Sequence, residues 1–312
     1  MFNRLASIGM IGALLIGGPA LGQTPKAAPV TPVAPSVPSA PSALEGPQAK
    51  LRLCTGEVGN NYHRVGTALR DALKGAIEVE IVETRGSWEN LELLDRERPR
   101  CDAIIAQEDA YALHQFERPK SSLRIDRMAT LYPEHVHLLC NRGVKASSLG
   151  TLDPEKTQIL VNSYGSGSFI TWRLFANLNR AYKSFQVVES GVDEGLLQLR
   201  DDRRAACFFF VSGLRGRTLD TADRTLADRV RLLPVVDRNL HRPVGRDKRQ
   251  IYAPSTITRK VYPGLLDEDV DTQSVDAAFF LSPKWKARHP KGARKLAQTL
   301  LTLLERLEKE FR

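Results

Sequence analysis

The sequence has 312 residues, 42% of them hydrophobic and 26% charged, with a formal net charge of +9. That length and balance suit an ordinary soluble globule with one large or two medium domains. The basic residues are scattered among 36 acidic ones, with no basic stripe interleaved with aromatics, so nucleic-acid binding is not expected; a positive field would instead help an anionic ligand arrive.

Arg4 makes a short positive start, Leu5 to Gly18 is an apolar run without a charge, and Pro19 ends it. Ala20-Leu21-Gly22 supplies the small residues that a signal peptidase reads, so residues 1–22 are expected to be a signal peptide, cleaved near Gly22, that sends the chain to the periplasm. The run is too short for a membrane span, which needs roughly 20 apolar residues. No cysteine follows it before Cys54, which argues against a lipid anchor. Residues 23–48 carry Pro25, Pro29, Pro32, Pro35, Pro38, Pro41 and Pro47 among Ala, Val and Ser. Each proline fixes φ and lacks a donor, so this stretch reads as an extended linker.

From residue 51 onward, short apolar strands alternate with amphipathic helices. Leu51 to Cys54 reads as a strand, and Thr55 to Asn61 as a polar loop. A helix then carries Tyr62, Val65, Leu69 and Leu73 on one face. Val79 to Val82 is a β-branched strand, followed by Glu83 to Ser87 and a helix through Leu91 and Leu94; Ala103 to Ala106 is a third strand ending in Gln107-Glu108-Asp109. This is βαβαβ, which implies a parallel sheet with right-handed crossovers. A second series starts at Ile159 to Val161. It runs through Asn162 to Ser168 into a helix with Phe169, Trp172, Phe175 and Leu178, then through strands at Gln186 to Val188 and Ala205 to Val211. Leu131 to Cys140 joins the two series, and the chain returns near Ser274 to Leu281. A last helix, from about Lys291 to Phe311, sets Leu296, Leu300, Leu303, Leu304, Leu307 and Phe311 on one side. The expected architecture is α/β with two lobes, each a mainly parallel sheet flanked by helices. Residues 49–140 with 241–312 form lobe 1, residues 141–240 form lobe 2, and two crossing segments form the hinge.

Open parallel sheets bind ligands at the carboxyl ends of their strands. The three loops Thr55 to Asn61, Thr84 to Ser87 and Asn162 to Ser168 each place small or hydroxyl residues before a helix start. Free N–H groups and a partial positive charge at such starts suit a carboxylate. Ser87 and Ser168 also fit plain N-caps. Enzyme signatures are poor. Tyr164-Gly165-Ser166-Gly167-Ser168 is not GxSxG, and it lacks the third glycine of a dinucleotide loop and the lysine of a P-loop. His135 and His137 share a strand face without a third ligand for a metal, and Glu134 and Asp109 have no visible partner for acid–base work. No catalytic residue and no cofactor are expected. Cys54, Cys101, Cys140 and Cys207 permit two disulfides in any of three connectivities, or buried thiols.

In order along the chain, TGEVGNNYHRVGTAL, ETRGSWENLELL, CDAIIAQEDAYAL, LYPEHVHLL, NSYGSGS, ACFFFVSG and VYPGLLDEDVDT resemble the TAXI family of TRAP-transporter solute receptors. The resemblance covers nearly the whole folded part. It implies a type II periplasmic binding fold and a monomer that closes on a small carboxylate or glutamate-like amino acid and delivers it to TRAP membrane permease subunits. A periplasmic sensor or signalling partner on the same fold is the alternative. Carried over, Thr55, Gly56, Gly59 and Tyr62 form one wall, with Ser87 and Gln107 beside it; Gly165, Ser166, Gly167 and Ser168 close from the other lobe, near Phe210 and Ser212. The chain departs from the family at Glu57, Asn60, His63 and Arg85. A carboxylate at Glu57 would repel a ligand carboxylate. Glu57 is therefore expected either to pair with Arg85 across adjacent loops or to recognise a ligand amine, and both join the expected contact set with Asn60.

Overall fold

In the computed structural model, residues 49–201, 205–245 and 248–311 are described, with side chains through residue 306. The expected signal peptide (1–22) and linker (23–48) lie outside the described residues, as do the side chains of Leu307 and Phe311. Lys50–Cys54 forms strand β1, Glu78–Val82 forms β2 and Ala103–Gln107 forms β3; β1 pairs in parallel with both β2 and β3. All five residues of β3 are buried, as a central strand covered on both faces requires. Side chains alternate across it. Ala103 and Ile105 join the core that includes Leu51, Leu53 and Phe279, whereas Ile104 and Ala106 join the core on the opposite face.

Helix α1 (Asn61–Ala72) lays Val65 and Leu69 on the first of these cores, with Leu73 just past its end. Each such buried aliphatic side chain contributes about 1.5–3 kcal/mol. Helices α7 (Pro283–Arg288) and α8 (Pro290–Phe311) cover the same core, the first through Trp285 and the second through Leu296, Leu300 and Leu303. The other face carries α2 (Ser87–Leu94) and α3 (Glu108–Glu117).

The second series forms β5 (Gln158–Val161), α4 (Gly167–Leu178), β6 (Gln186–Glu189), α5 (Val192–Arg200), β7 (Ala206–Ser212), α6 (Arg217–Thr225) and β8 (Val230–Leu233). Strand β5 runs parallel to both β6 and β7. Two long strands join the halves: β4 (Asp126–Asn141) and β10 (Val270–Leu281), antiparallel to each other. At about 3.3 Å per residue, the 16 residues of β4 span about 50 Å, enough to cross both half-sheets. Its first part pairs with β10 and its last part with β7 and β8, with the change of partner at His135. The two half-sheets are therefore one hydrogen-bonded sheet, ordered β2-β1-β3-β10-β4-β7-β5-β6; β8 pairs with β4, and β9 (Ala253–Ile257) pairs with β10. The loops after β1, β2 and β3 face those after β5 and β7 across this crossing. The architecture is therefore α/β, one curled mixed sheet flanked by helices.

Three cores hold it together. One lies under α1 and α8, and one under α5 and α6 with Tyr262; the third is shared, running from Leu91 and Ala110 of the first half to Ile170, Phe175 and Phe209 of the second. Disulfides join Cys54 to Cys101 and Cys140 to Cys207. The second pair sits directly opposite on β4 and β7, with Cα atoms 3.9 Å apart. Among the described residues no helix is long and apolar enough to cross a membrane.

Candidate functional site

A buried polar staple sets the strand-end loops of the first half. Asn90, fully buried in α2, donates from Nδ2 to the carbonyl of Thr55 at 2.6 Å and to that of Ile105 at 2.8 Å, and accepts from Thr84 Oγ1 at 2.6 Å. One side chain thus ties together the ends of β1, β2 and β3. Gly86, at φ 123, makes the entry to α2 in a conformation that a side chain would strain. Ser87 is buried and does not cap its helix. Its Oγ accepts the backbone N–H of Gln107 at 3.0 Å and lies 3.4 Å from the Tyr62 hydroxyl.

Tyr62 reaches inward from the first turn of α1 and donates to Glu134 Oε2 at 3.0 Å. Glu134 lies on β4 opposite Val275, where the sheet crosses between halves, and is buried. Burial pushes its carboxyl up to about 8; the Tyr62 bond opposes this and the nearby Asp109 charge adds to it. Asp109, fully buried at the start of α3, is likewise raised by burial, to about 6, although it accepts from Thr171 at 2.6 Å and Tyr252 at 2.9 Å. His135 and His137 point to the opposite face of β4 from Glu134 and are lowered by burial to about 4 and about 3. His135 Nδ1 pairs with Ser255 Oγ at 2.9 Å, while both ring nitrogens of His137 are buried without a hydrogen-bond partner. No three His, Cys, Asp or Glu residues are grouped to hold a metal among the described residues.

Strand-end loops of the two halves approach each other at three places among the described residues. The Trp88 N–H donates to the Gly165 carbonyl at 3.3 Å. The Gln107 carboxamide packs against Gly167 so closely that a Cβ there would fall 1.9 Å from Oε1. The Asn61 amide approaches Gly213, where a Cβ would lie 3.4 Å from Nδ2. Each parallel strand of the first half therefore sends its end against a loop of the second. The Gln107 side chain is nearly fully buried, and neither its oxygen nor its nitrogen has a hydrogen-bond partner.

Of the residues singled out in sequence, Thr55, Gly56, Tyr62, Ser87 and Gln107 lie at strand ends and helix starts of the first half, and Ser166, Gly167 and Ser168 at the start of α4 in the second. Ser166 caps α4 by accepting from Phe169 N–H at 3.2 Å. Ser168 Oγ accepts from Val211 N–H at 3.0 Å and so pins α4 to β7. Phe210 stacks at 6.4 Å against His137, and Ser212 Oγ donates to the Gly213 carbonyl at 2.9 Å. The expected pairing of Glu57 with Arg85 does not form. Arg85 instead engages Glu89, one helical turn on, through its backbone N–H at 2.9 Å and its Nε at 3.2 Å. An i,i+4 partner is always within reach, whereas Glu57 sits in an exposed turn with Asn60. Sequence reading passed over Asn61, Asn90 and the partners of Asp109 and Glu134. A lone carboxylate inside the apolar run LYPEHVHLL was the available signal, since Glu is rarely buried without a reason.

The model of the NMT1-like family matches residues 53–301, most of the chain. The chain belongs to the NMT1-like family. No curated protein matches it. Among solved structures, it is similar to the alkanesulfonate-binding protein SsuA from Xanthomonas axonopodis pv. citri bound to MOPS, at 13% identity over 82% of this chain and 73% of that one, with a TM-score of 0.46. It is also similar to the AvGluR1 ligand-binding domain in complex with glutamate (13% identity, 86% of this chain and 96% of that one, TM-score 0.46) and to a mutant of ArgBP from T. maritima (10%, 84% and 94%, TM-score 0.46). In this NMT1-like chain Glu134 and Gln107 are buried, and the Gln107 carboxamide has no hydrogen-bond partner among the described residues.

Proposed function

We propose that this NMT1-like protein is an extracytoplasmic solute receptor: a monomer, exported by residues 1–22, that closes two lobes on a small carboxylate or amino acid and hands it to a TRAP-type membrane permease. The observation that carries this reading is the meeting of strand-end loops from both halves, with the unpartnered Gln107 carboxamide held against Gly167. A buried amide without partners costs about 1–3 kcal/mol, and a ligand that supplies them recovers that cost on binding. The starts of α1, α2 and α4 follow the ends of β1, β2 and β5, and the partial positive charge at a helix start suits a ligand carboxylate. Opening would flex β4 and β10 where they pass between the half-sheets, near His135 and Ser274. The two disulfides fit an oxidising compartment. The protein's work is binding, with no bond made or broken.

The test is a thermal-shift screen of ligand-free protein against amino acids, dicarboxylates and keto acids. A ligand at about 100 times its Kd stabilises by about 2.7 kcal/mol, a readily measured shift. Absence of any shift would count against the reading. Permease genes beside the coding sequence support delivery, whereas a neighbouring histidine kinase supports a sensor.

A further inference from the structure

Glu134 is placed where a ligand-recognising group would be. It sits on β4 at the crossing of the two half-sheets, between the loops that close on each other. Its Oε2 accepts a hydrogen bond from Tyr62 at 3.0 Å. The Tyr62 hydroxyl in turn lies 3.4 Å from Ser87 Oγ, which holds the backbone of Gln107 at 3.0 Å. Glu134, Tyr62, Ser87 and Gln107 are therefore connected in one series, and at its far end the buried Gln107 carboxamide has no hydrogen-bond partner among the described residues.

Burial, the Tyr62 hydrogen bond and the charge of Asp109 act on Glu134, and no cation is among these influences. A buried carboxyl with no cation beside it must carry a proton or meet a positive charge brought from outside. Asp109, a second carboxyl, makes an anion at this point still less favourable.

Resting on the receptor reading above, we propose that Glu134, held by Tyr62, is an ammonium subsite, so that the ligand is an amino acid or similar primary amine rather than a keto acid or plain dicarboxylate. The ammonium donates to Glu134 Oε1 and takes the place of the missing cation, and the Gln107 carboxamide binds a neighbouring polar group of the same ligand. A ligand carboxylate then lies toward the helix starts, away from Glu134. A keto acid presents an acceptor where the site needs a donor. Loss of a hydrogen bond that a site is built to make costs far more than loss of a methylene, so the discrimination expected here is at least roughly 100-fold.

The probes are L-glutamate, L-glutamine, 2-oxoglutarate and glutarate, titrated calorimetrically into full-length mature protein refolded from denaturant to remove carried ligand. The expected result is that an amino acid binds at least about 100-fold more tightly than 2-oxoglutarate and glutarate. Glu134→Gln, nearly isosteric, should lower amino-acid affinity by a factor of ten or more and narrow the gap to the keto acid. Tyr62→Phe, which keeps the carboxyl, should weaken binding while preserving the preference for the amine. Equal binding of glutamate and 2-oxoglutarate overturns the ammonium subsite and leaves the receptor reading standing, as does a Glu134→Gln variant with an unchanged preference. Binding of none of the probes to folded protein overturns the carboxylate receptor reading and, with it, this inference.

Discussion

Thr171 donates a 2.6 Å hydrogen bond to Asp109, joining α4 of the second half to α3 of the first inside the shared core. Tyr252 donates to the same carboxylate oxygen at 2.9 Å, and its ring packs edge-on against Phe175 at 4.9 Å. Two hydroxyls thus depend on one acceptor that water does not reach. Asp109→Leu would leave both unsatisfied, each costing about 1–3 kcal/mol. The expected loss of about 3 kcal/mol lowers Tm by roughly 6–12 °C in a protein of this size. Asp109→Asn keeps an acceptor oxygen and should lose less than half as much. Thermal unfolding of the two variants checks this; equal losses would mean that the carboxylate charge, and not the acceptor, is what matters.

Gln107 and Gly167 offer a test of closure itself. A Cβ at Gly167 would overlap the Gln107 carboxamide, with Oε1 at 1.9 Å and Cδ at 2.7 Å. Gly167 opens α4, and a side chain at a helix start costs the helix itself little. Gly167→Val should therefore leave the lobes folded but hold them apart, lowering ligand affinity at least about tenfold and enlarging the radius of gyration in small-angle scattering. Adding Gln107→Ala removes the overlap and should recover the smaller radius. If the double variant stays expanded, the contact is not what limits closure.

The βαβ units were readable because periodicity is local. Val65, Leu69 and Leu73 declare a helix face within one segment, and the residues between strand and helix declare a loop. The continuity of the sheet through β4 and β10 was less visible, since a register such as His135 with Ser274 joins residues far apart in the chain and leaves no local pattern. The same limit explains the cysteines. Four thiols allow several pairings until β4 and β7 bring Cys140 opposite Cys207. Arg85 shows the opposite error, a distant partner imagined at Glu57 where a nearer one, Glu89, was available four residues on. Asn90 went unread as a staple because its three partners lie on three different strand ends.

That staple makes its own prediction. Asn90→Ala would remove the Nδ2 donor from the Thr55 and Ile105 carbonyls and the Oδ1 acceptor from Thr84, leaving Thr84 Oγ1 only its 3.2 Å bond to the Thr55 carbonyl. A loss of about 2–3 kcal/mol is expected, with ligand affinity falling as well because the loops after β1 and β2 lose their fixed spacing. Asn90→Asp keeps the acceptor and should be worse than alanine in stability, since it adds a buried charge facing two carbonyls. Denaturant unfolding that ranked Asp above Ala would refute this account.

The disulfides close loops with sequence separations of 47 and 67 residues. By the chain-entropy relation, each removes unfolded-state freedom equal to about 4 kcal/mol. Reduction, or replacement of Cys140 and Cys207 together by Ala and Val, should therefore lower Tm markedly while the sheet persists, because both sulfur atoms sit in the shared core and their replacements remain apolar. Circular dichroism with and without reductant measures both parts of this. A reduced protein of unchanged Tm would show that cross-linking contributes little here.

The pH dependence of stability isolates Glu134. Its folded pKa is raised by burial to about 8 from 4.5, and that of Asp109 to about 6 from 3.8. A raised folded value means that the native state binds the proton more tightly. The stability these groups contribute is thus full below their unfolded values and is lost as pH rises, up to about 6 for Asp109 and about 8 for Glu134. His135 and His137 act with the opposite sign. Lowered by burial to about 4 and about 3, they contribute fully above 6.5 and lose that contribution as pH falls toward those values. Between pH 6.5 and 8 Glu134 alone among the four still changes, so Tm of the ligand-free protein should fall across that interval. Glu134→Gln, which cannot ionise, should flatten the fall, and a bound amine should flatten it in the wild type by supplying the missing charge. A slope that survives in Glu134→Gln would assign the titration to another group.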